Sequence, residues 1–194
     1  MKTPIFLREF ELQDWQAVHQ YASDPDVVRY MEWGPNTAEE TQIYIQRAMA
    51  SRQEQPRKSY EFAVIFKSEG KLIGSCAIYI SSFTNREGWI GYCFNQHFWS
   101  QGYATAAAKL IIEFGFVQLN LHRIFATCEP LNTASQRVMQ KIGMQFEGRL
   151  RDHKCVKEKW RDSILYAILQ PEWQQINQEI GDSSAAINSS ILLD

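Results

Sequence analysis

Hydrophobic residues along the chain follow two different periods, and the shorter period marks the strands. Apolar and polar residues alternate in residues 4–10, which is typical of a strand with one buried face. Further runs rich in aromatic and β-branched residues are bounded by turn residues and also predict strands, at 60–66, 71–80, 89–94, 124–128, 146–156 and 163–169. The sequence therefore predicts about seven strands.

Between these strands, apolar residues recur at the helical spacing of three and four. The clearest pattern begins after Gly102 and forms one apolar stripe, made of Ala104, Ala107, Ala108, Ile111, Phe114 and Gly115. Weaker helical patterns occur at 14–21, 27–31, 37–53, 132–141 and 171–180. Thr37 opens the sequence Thr-Ala-Glu-Glu, which is the pattern of a capping box at a helix N-terminus.

The order of these elements indicates the fold. A strand, a helix and a strand follow one another between residues 89 and 128, and a helical crossover of this kind indicates a parallel pair. The strands on either side are joined by short turns, which indicates antiparallel pairs. We expect an α/β (α+β) fold with one mixed, mostly antiparallel sheet and helices on both faces. Residues 1–171 are expected to form this single domain, and residues 172–194 a C-terminal extension with a short helix and a mobile tail.

Composition narrows the possible functions. The 194 residues are 45% hydrophobic and 22% charged, and the formal net charge of -2 provides no basic field to bind nucleic acid. No apolar window reaches the roughly 18 residues of a membrane span, and the N-terminus does not resemble a signal peptide. The cysteines are far apart and include no CxxC pair, which predicts free thiols and no metal site. We therefore expect a cytoplasmic protein without nucleic-acid or membrane partners.

The most informative segment is the loop 99–105, which lies between a predicted strand and a predicted helix. The first turn of a helix has unpaired N–H groups and a partial positive charge, so phosphate groups bind there readily. Gly102 has no Cβ and lets the backbone approach a ligand, and Ala104 keeps a nearby position small. A glycine before a helix can also merely permit a turn, so the loop alone leaves both interpretations open.

Three motifs give this loop a context. Trp99-Ser-Gln-Gly-Tyr-Ala-Thr105 resembles the pyrophosphate loop of the GCN5-related N-acetyltransferases (GNAT), whose pattern is Gln/Arg-x-x-Gly-x-Gly/Ala. Trp99 departs from the first position, but Trp is usual there in the subgroup that resembles ribosomal-protein N-terminal (alanine/serine) acetyltransferases. The Asn132-Thr-Ala-Ser135 helix and the final hairpin, with Leu150-Arg-Asp and Trp160-Arg-Asp, are similar to the same subgroup. The resemblance spans roughly residues 3–171.

The resemblance implies that acetyl-CoA is the cosubstrate and that no metal is needed. In this family the strand before the loop is splayed from the next strand, its free backbone groups bind the pantetheine arm, and one N–H polarises the thioester carbonyl. Counting eight residues back from Gly102 puts Phe94 at that N–H. The residues implied to bind the cofactor are Tyr92, Phe94, Gln101, Gly102, Tyr103, Ala104, Thr105 and Asn132.

The resemblance also implies a proton donor for the leaving thiolate. Ser135 would lie beside the sulfur, where its hydroxyl can donate to the developing negative charge. Ser135 can alternatively be only the third residue of a helix that Asn132 caps. Tyr103 and Tyr166 are alternative donors that can equally be packing residues.

The general base and the acceptor contacts are less constrained. A carboxylate acting through water would serve as the base, and Glu129, which follows the strand 124–128, is our candidate. Glu32 and Trp33 lie between the first helices, a segment that covers the acceptor side in this family, and we expect both to contact the acceptor. Solvation of a carboxylate and core packing of a tryptophan are the competing interpretations.

Three functions agree with these residues. The first is acetylation of a protein N-terminal α-amine by direct attack in a ternary complex, which the subgroup resemblance favours. The second is acetylation of a small amine, such as an antibiotic, a polyamine or an amino acid. The third is a non-catalytic acyl-CoA-binding module on the same fold, because fold alone does not separate these functions. The protein is expected to be a monomer or a homodimer.

Overall fold

The structure, a computed structural model, describes residues 4–181 and 191–192. The strands of the described residues are β1 (Ile5–Glu9), β2 (Ser59–Phe66), β3 (Lys71–Ser82), β4 (Glu87–Phe94), β5 (Arg123–Cys128), β6 (Gln145–Val156), β7 (Lys159–Leu169) and the short β8 (Ile191–Leu192). The α-helices are α1 (Trp15–Ala22), α2 (Ala38–Ala50), α3 (Tyr103–Val117), α4 (Thr133–Lys141) and α5 (Gln170–Gly181). Short 3-10 turns occupy Leu12–Asp14, Ser51–Gln53 and Gln96–Phe98.

All of these strands form one sheet, in the order β6-β7-β5-β4-β3-β2-β1-β8. The central strands β4 and β5 are parallel, as is the short β1–β8 pair. The other neighbouring strands are antiparallel. The predicted mixed, mostly antiparallel sheet with a parallel central pair is therefore confirmed.

The start of α2 illustrates how local sequence fixes a helix. Thr37 Oγ1 accepts a hydrogen bond from Glu40 N at 3.2 Å, and Glu40 Oε2 accepts one from Thr37 N at 2.8 Å, which confirms the predicted capping box. The prediction of a helix at 27–31 is wrong, because residues 25–30 form successive turns. This segment lies between two X-Pro sequences and is too short to propagate a helix.

The sheet separates two hydrophobic cores. Side chains of a strand alternate between its faces, and in β2 this places Phe62 and Val64 against α3 and places Ala63 and Ile65 against α1 and α2. Glu61 has the same parity as Ala63 and Ile65, so it shares the face of α1 and α2. We call the face of α3 the cofactor face and the face of α1 and α2 the acceptor face, after the roles that the family resemblance implies.

Helix α3 packs closely on the sheet because Gly115 has no side chain. A Cβ at this position would lie 2.6 Å from Ile78 Cδ1 and 2.7 Å from Ile124 Cδ1, so a larger residue would require these two side chains or the helix to shift. This contact fixes the position of α3 on β3 and β5, and with it the position of the loop that precedes α3.

Helix α5 begins at Gln170, before the expected boundary at 171, and packs on the domain. The Trp173 ring lies 5.4 Å from the Phe116 ring, centroid to centroid. The expected mobile tail falls on residues 182–190 and 193–194, outside the described residues. Within the described part of the chain, no helix is long and apolar enough to cross a membrane.

Candidate active site

The central strands β4 and β5 separate halfway along their length. Their register pairs Glu87 with Arg123, Gly88 with Ile124 and Trp89 with Phe125, and the described pairing stops there. The second half of β4, residues 90–94, still pairs with β3 but has a free edge towards β5. The splayed parallel pair that the family resemblance implied is therefore present.

The free edge of β4 presents backbone groups of two predicted residues. Asn95 N donates to Ile73 O of β3 at 3.0 Å. Because successive residues of a strand turn their N–H and C=O groups to opposite edges, those of Phe94 and Tyr92 point towards the gap. Phe94 O accepts a hydrogen bond from the Trp99 side chain, which leaves the Phe94 N–H and the backbone groups of Tyr92 without a strand partner for a pantetheine arm in the gap.

A cavity of about 1610 Å³ lies at this gap, and its lining includes residues from both faces of the sheet. It is lined by most of the predicted residues, namely Glu32, Trp33, Tyr92, Phe94, Gly102, Tyr103, Ala104, Thr105, Asn132 and Ser135. Gln101 and Glu129 are not among the lining residues. The Gln101 amide instead donates to His97 O at 2.9 Å, so its side chain braces the loop.

Gly102 lies at the N-terminus of α3 in a conformation that favours glycine. Its φ is 84°, in the left-handed region, and no side chain caps this end of the helix. The backbone N–H groups of Tyr103, Ala104 and Thr105 belong to the first helical turn and have no partner within the helix. No atom lies within 4 Å of the position that a Cβ of Gly102 would occupy. This open, positively polarised end fits a pyrophosphate group.

Trp99 ties this loop to the free edge of β4. Its indole Nε1 donates to Phe94 O at 2.8 Å, although the ring is 45% exposed. The Tyr103 ring packs in the other direction, 5.4 Å from the Phe66 ring. The hydrogen bond gives a structural reason for the Trp that departs from the family pattern, because it links the phosphate-binding turn to the backbone that faces the thioester.

Two hydroxyl groups meet across the gap on the cofactor face. Tyr92 Oη lies 2.9 Å from Ser135 Oγ and also donates to Ser135 O at 3.2 Å. Asn132 Oδ1 accepts from Ser135 N at 3.1 Å and caps α4, which fixes the serine at the third helical position. Burial raises the pKa of Tyr92 well above its usual value, so its hydroxyl stays protonated and can donate.

Cys128 lies beside the same pair of hydroxyls. Its Sγ is 3.9 Å from Asn132 O, and burial raises the pKa of the thiol to about 11. The thiol is therefore protonated near neutral pH and is a poor nucleophile. In the part of the chain that the structure describes, no group of three or more His, Cys, Asp or Glu residues could hold a metal ion.

The predicted carboxylates carry ion pairs. Glu129, the predicted base, pairs with Arg161 of β7 and lies away from the cavity lining. Glu32 pairs with Lys154 of β6, so the segment between α1 and α2 is linked to the final hairpin across the cavity mouth. Trp33 lies at the same mouth and is 40% exposed. The structure thus brings Glu32 and Trp33 to the cavity and does not bring Glu129 there.

The acceptor face contributes residues that the sequence did not single out. Glu61, Tyr44 and Tyr79 line the cavity there, and the Tyr79 and Trp89 rings stack with centroids 4.1 Å apart. On the cofactor face, the Tyr92 hydroxyl is another group that the sequence did not single out, because only the backbone of this strand was expected to bind the cosubstrate. The available signal was the charge of Glu61 within Tyr60–Phe66, a strand that is otherwise apolar on both faces.

Comparisons with known proteins agree with this geometry. A family model described as the acetyltransferase (GNAT) domain matches residues 5–145. YnaD of Bacillus subtilis (strain 168), an uncharacterized N-acetyltransferase, is 41% identical over 171 residues, which cover 87% of this chain and 95% of YnaD. The crystal structure of a GNAT-family acetyltransferase from Bacillus anthracis superposes with a TM-score of 0.78 at 37% identity, covering 88% of this chain and 98% of that chain.

A more distant structure has the same fold and contains bound CoA. Spermidine N-acetyltransferase from Vibrio cholerae in complex with CoA and spermine has a TM-score of 0.76 and 18% identity, and covers 88% of this chain and 98% of that chain. At this identity the likeness concerns the fold alone. The family match and the close relatives carry the assignment, and the splayed strands and open helix end agree with it. The chain belongs to the GNAT family and is an acetyl-CoA-dependent N-acetyltransferase.

Proposed function

We propose that the protein transfers the acetyl group of acetyl-CoA to the α-amine of a protein N-terminus, by direct attack in a ternary complex. The observation that carries this proposal is one cavity at the gap between β4 and β5 whose lining includes residues from both faces of the sheet. Because the lining spans both faces, a thioester from the cofactor face and an amine from the acceptor face can meet at the free edge of β4. Direct transfer needs this simultaneous access.

On the cofactor face, each group has one task. The N–H groups of the first turn of α3 bind the pyrophosphate, with Gly102 and Ala104 keeping the approach clear. The Phe94 N–H donates to the thioester carbonyl oxygen as negative charge develops on it. The amine nitrogen forms a bond to the carbonyl carbon, and the C–S bond then breaks. Ser135, supported by Tyr92, donates a proton to the thiolate that leaves.

The charges of the cavity disfavour an acceptor with several positive charges. The lining carries four carboxylates and five cationic side chains, namely Asp26, Glu32, Glu40, Glu61, Arg29, Arg47, Arg137, Lys141 and Lys154. A polyamine with several ammonium groups would require an excess of carboxylates. An α-amine has a pKa near 8 and loses its proton more readily than a lysine amine does. Together with the subgroup resemblance, these points favour a peptide N-terminus over spermidine.

The other predicted residues take secondary roles in this proposal. Trp33 and Glu32 flank the cavity mouth, where they would contact the residues that follow the acetylated amine. Glu129 would have to release Arg161 before it could accept a proton. A carboxylate of the cavity lining that has no ion pair is better suited to accept the proton.

The test is a panel of acceptors assayed for CoA release and for acetylated product by mass spectrometry. It includes peptides with N-terminal Ala or Ser, the same peptides with a blocked α-amine, a lysine-containing blocked peptide, and spermidine. We expect turnover with the free N-terminal peptides and none with their blocked forms. Turnover with spermidine alone would replace the peptide by a small amine, and acetyl-CoA binding without turnover on any acceptor would favour a non-catalytic module.

A further inference from the structure

One buried carboxylate on the acceptor face has no ion-pair partner among the described residues. Glu61 of β2 pairs in register with Ala77 of β3, which in turn pairs with Gly91 of β4. Side chains in such a row share one face of the sheet. Glu61 therefore lies two strands, or about 10 Å by Cα, from the strand whose free edge faces the thioester.

The surroundings of Glu61 leave one of its carboxylate oxygens without a hydrogen-bond donor among the described residues. Its Oε2 is buried and has no hydrogen-bond partner in the described part of the chain. Burial raises the pKa of Glu61, while the Tyr44 and Tyr79 hydroxyls and, more weakly, the charge of Arg57 lower it. Glu9, by contrast, is held by two arginines at 2.9 and 2.7 Å. Two arginines thus neutralise the buried Glu9, whereas Glu61, which lines the cavity, keeps an oxygen that can accept a further hydrogen bond.

Aromatic rings surround this carboxylate. Tyr79 and Trp89 stack with centroids 4.1 Å apart and an interplanar angle of 20°, and both line the cavity. Tyr44 of α2 and Tyr21 of α1 line it as well. Aromatic faces attract cations through their quadrupole, and a carboxylate adds charge and hydrogen-bond acceptors. An ammonium group is the ligand that this combination suits.

We propose that Glu61, Tyr44, Tyr79 and Trp89 form an amine pocket that binds the ammonium group of the acceptor, and that Glu61 accepts its proton through one bridging water. The proposal rests on the proposed function, since it places that acceptor. A chain of carboxylate, water and amine nitrogen spans about 6 Å. Together with the length of the glutamate side chain, it covers the separation of about 10 Å between the Cα positions on β2 and β4. The nitrogen can therefore lie beside β4 while Glu61 receives its proton.

The proton balance is complete with the groups named. The ammonium gives one proton through the water to the Glu61 carboxylate, and the neutral amine then attacks the thioester carbon. The C–N bond forms, the C–S bond breaks, and the nitrogen loses a second proton to solvent. The thiolate takes a proton from the Ser135–Tyr92 pair, which is refilled from solvent, and Glu61 releases its own proton to complete the cycle. The net products are the amide, CoA thiol and one proton.

The main test is the pH profile of kcat/KM for an N-terminal Ala peptide in Glu61→Gln. In the wild type, ionised Glu61 and the protonated amine react together, so we expect a plateau between the pKa of Glu61 and that of the amine near 8. The variant depends on free amine, so its deficit should increase about tenfold for each pH unit below 8 within that plateau. A merely structural role would give a deficit that does not change with pH.

Two further variants separate the proton transfer from general damage. Glu61→Asp keeps the carboxylate and should restore the plateau with a lower kcat/KM. Glu113→Gln removes a half-buried glutamate of α3 whose pKa is also raised by burial, but which does not line the cavity, and it should match the wild type. A Glu61→Gln profile parallel to that of the wild type would overturn the proposal while leaving the acetyltransferase assignment intact.

A binding measurement tests the pocket without turnover. Butylammonium chloride is titrated by calorimetry into the wild type and into Glu61→Gln, each saturated with CoA. We expect the affinity for butylammonium to fall at least tenfold in the variant, whereas the affinity for CoA is unchanged. Equal butylammonium affinity would refute the pocket. Because this assay needs no acceptor turnover, its outcome stands apart from that of the acceptor panel.

Discussion

Replacing Gly102 by alanine tests the phosphate-binding turn at a position where the backbone conformation favours glycine. The residue has a φ of 84°, and a Cβ would meet no protein atom within 4 Å. The new methyl group would instead occupy the space in front of the α3 N-terminus, where the pyrophosphate must approach. Gly70, in the turn between β2 and β3, has a φ of 63° and equally open surroundings. Gly70→Ala is therefore a matched control outside the cavity.

The two substitutions should cost the same stability but different affinity. An alanine in the left-handed region costs about 1–2 kcal/mol, and its smaller unfolded-state entropy offsets about 0.4–1 kcal/mol, so each variant should lose about 1 kcal/mol. For a chain of this size that lowers the Tm by about 2–4 °C. A charge-assisted hydrogen bond from an N–H to phosphate contributes about 1.5–3 kcal/mol. Losing one in Gly102→Ala should weaken acetyl-CoA binding by about 10- to 100-fold.

Calorimetric titration of acetyl-CoA and thermal melts of the free proteins measure both quantities. We expect matching melts for the two variants and a weaker acetyl-CoA Kd for Gly102→Ala alone. An unchanged Kd in Gly102→Ala would refute the assignment of the pyrophosphate to this turn. A Kd weakened equally in Gly70→Ala would show that the loss comes from general destabilisation and not from the methyl group.

Three further outcomes follow from contacts in the structure. Tyr92→Phe and Ser135→Ala should each lower kcat by about 100- to 10,000-fold with an unchanged CoA Kd. The double variant should be no slower than the slower single variant, and additive losses would contradict a joint donor. Trp99→Phe removes a hydrogen bond of about 1 kcal/mol and should weaken acetyl-CoA binding about fivefold, whereas Trp160→Phe on the exposed hairpin should not. Gly115→Ala places a methyl 2.6 Å from the end of the Ile78 side chain. Overpacking costs about 1–3 kcal/mol and the helix propensity of alanine offsets about 1 kcal/mol, so we expect a net loss of about 0–2 kcal/mol in urea unfolding. A net gain in stability would contradict tight packing of α3 at this position.

Features that depend on nearby residues could be predicted from the sequence. The capping box at Thr37, the apolar stripe of α3 and the cap of Asn132 on Ser135 each involve residues three to eleven positions apart. Helical and strand periods report which side of an element is buried, and short turns report which strands are neighbours. The order of the elements and the parallel central pair follow from these local rules.

Features that depend on strand register could not be predicted. Glu129 follows β5, which suggested a place at the gap, but β7 pairs antiparallel with β5 and brings Arg161 to its carboxylate. Register across two strand pairs likewise places Glu61 in the row of Gly91. A sequence pattern gives the face of each residue and not its partner, because a shift of the register changes every cross-strand contact.

The point at which β4 and β5 separate decides how the two faces of the sheet cooperate. Alternation along β4 sends Tyr92 to the cofactor face and Trp89 to the acceptor face, and an intact sheet would keep the two sides apart. Pairing with β5 stops at Trp89. The Trp89 ring therefore lies just before the gap, and the backbone edge of residues 90–94 that faces β5 has no strand partner. The Tyr92–Ser135 hydrogen bond then spans the opening on one side. The site is therefore built by ending a strand pair early, which lets residues from opposite faces act on one bond.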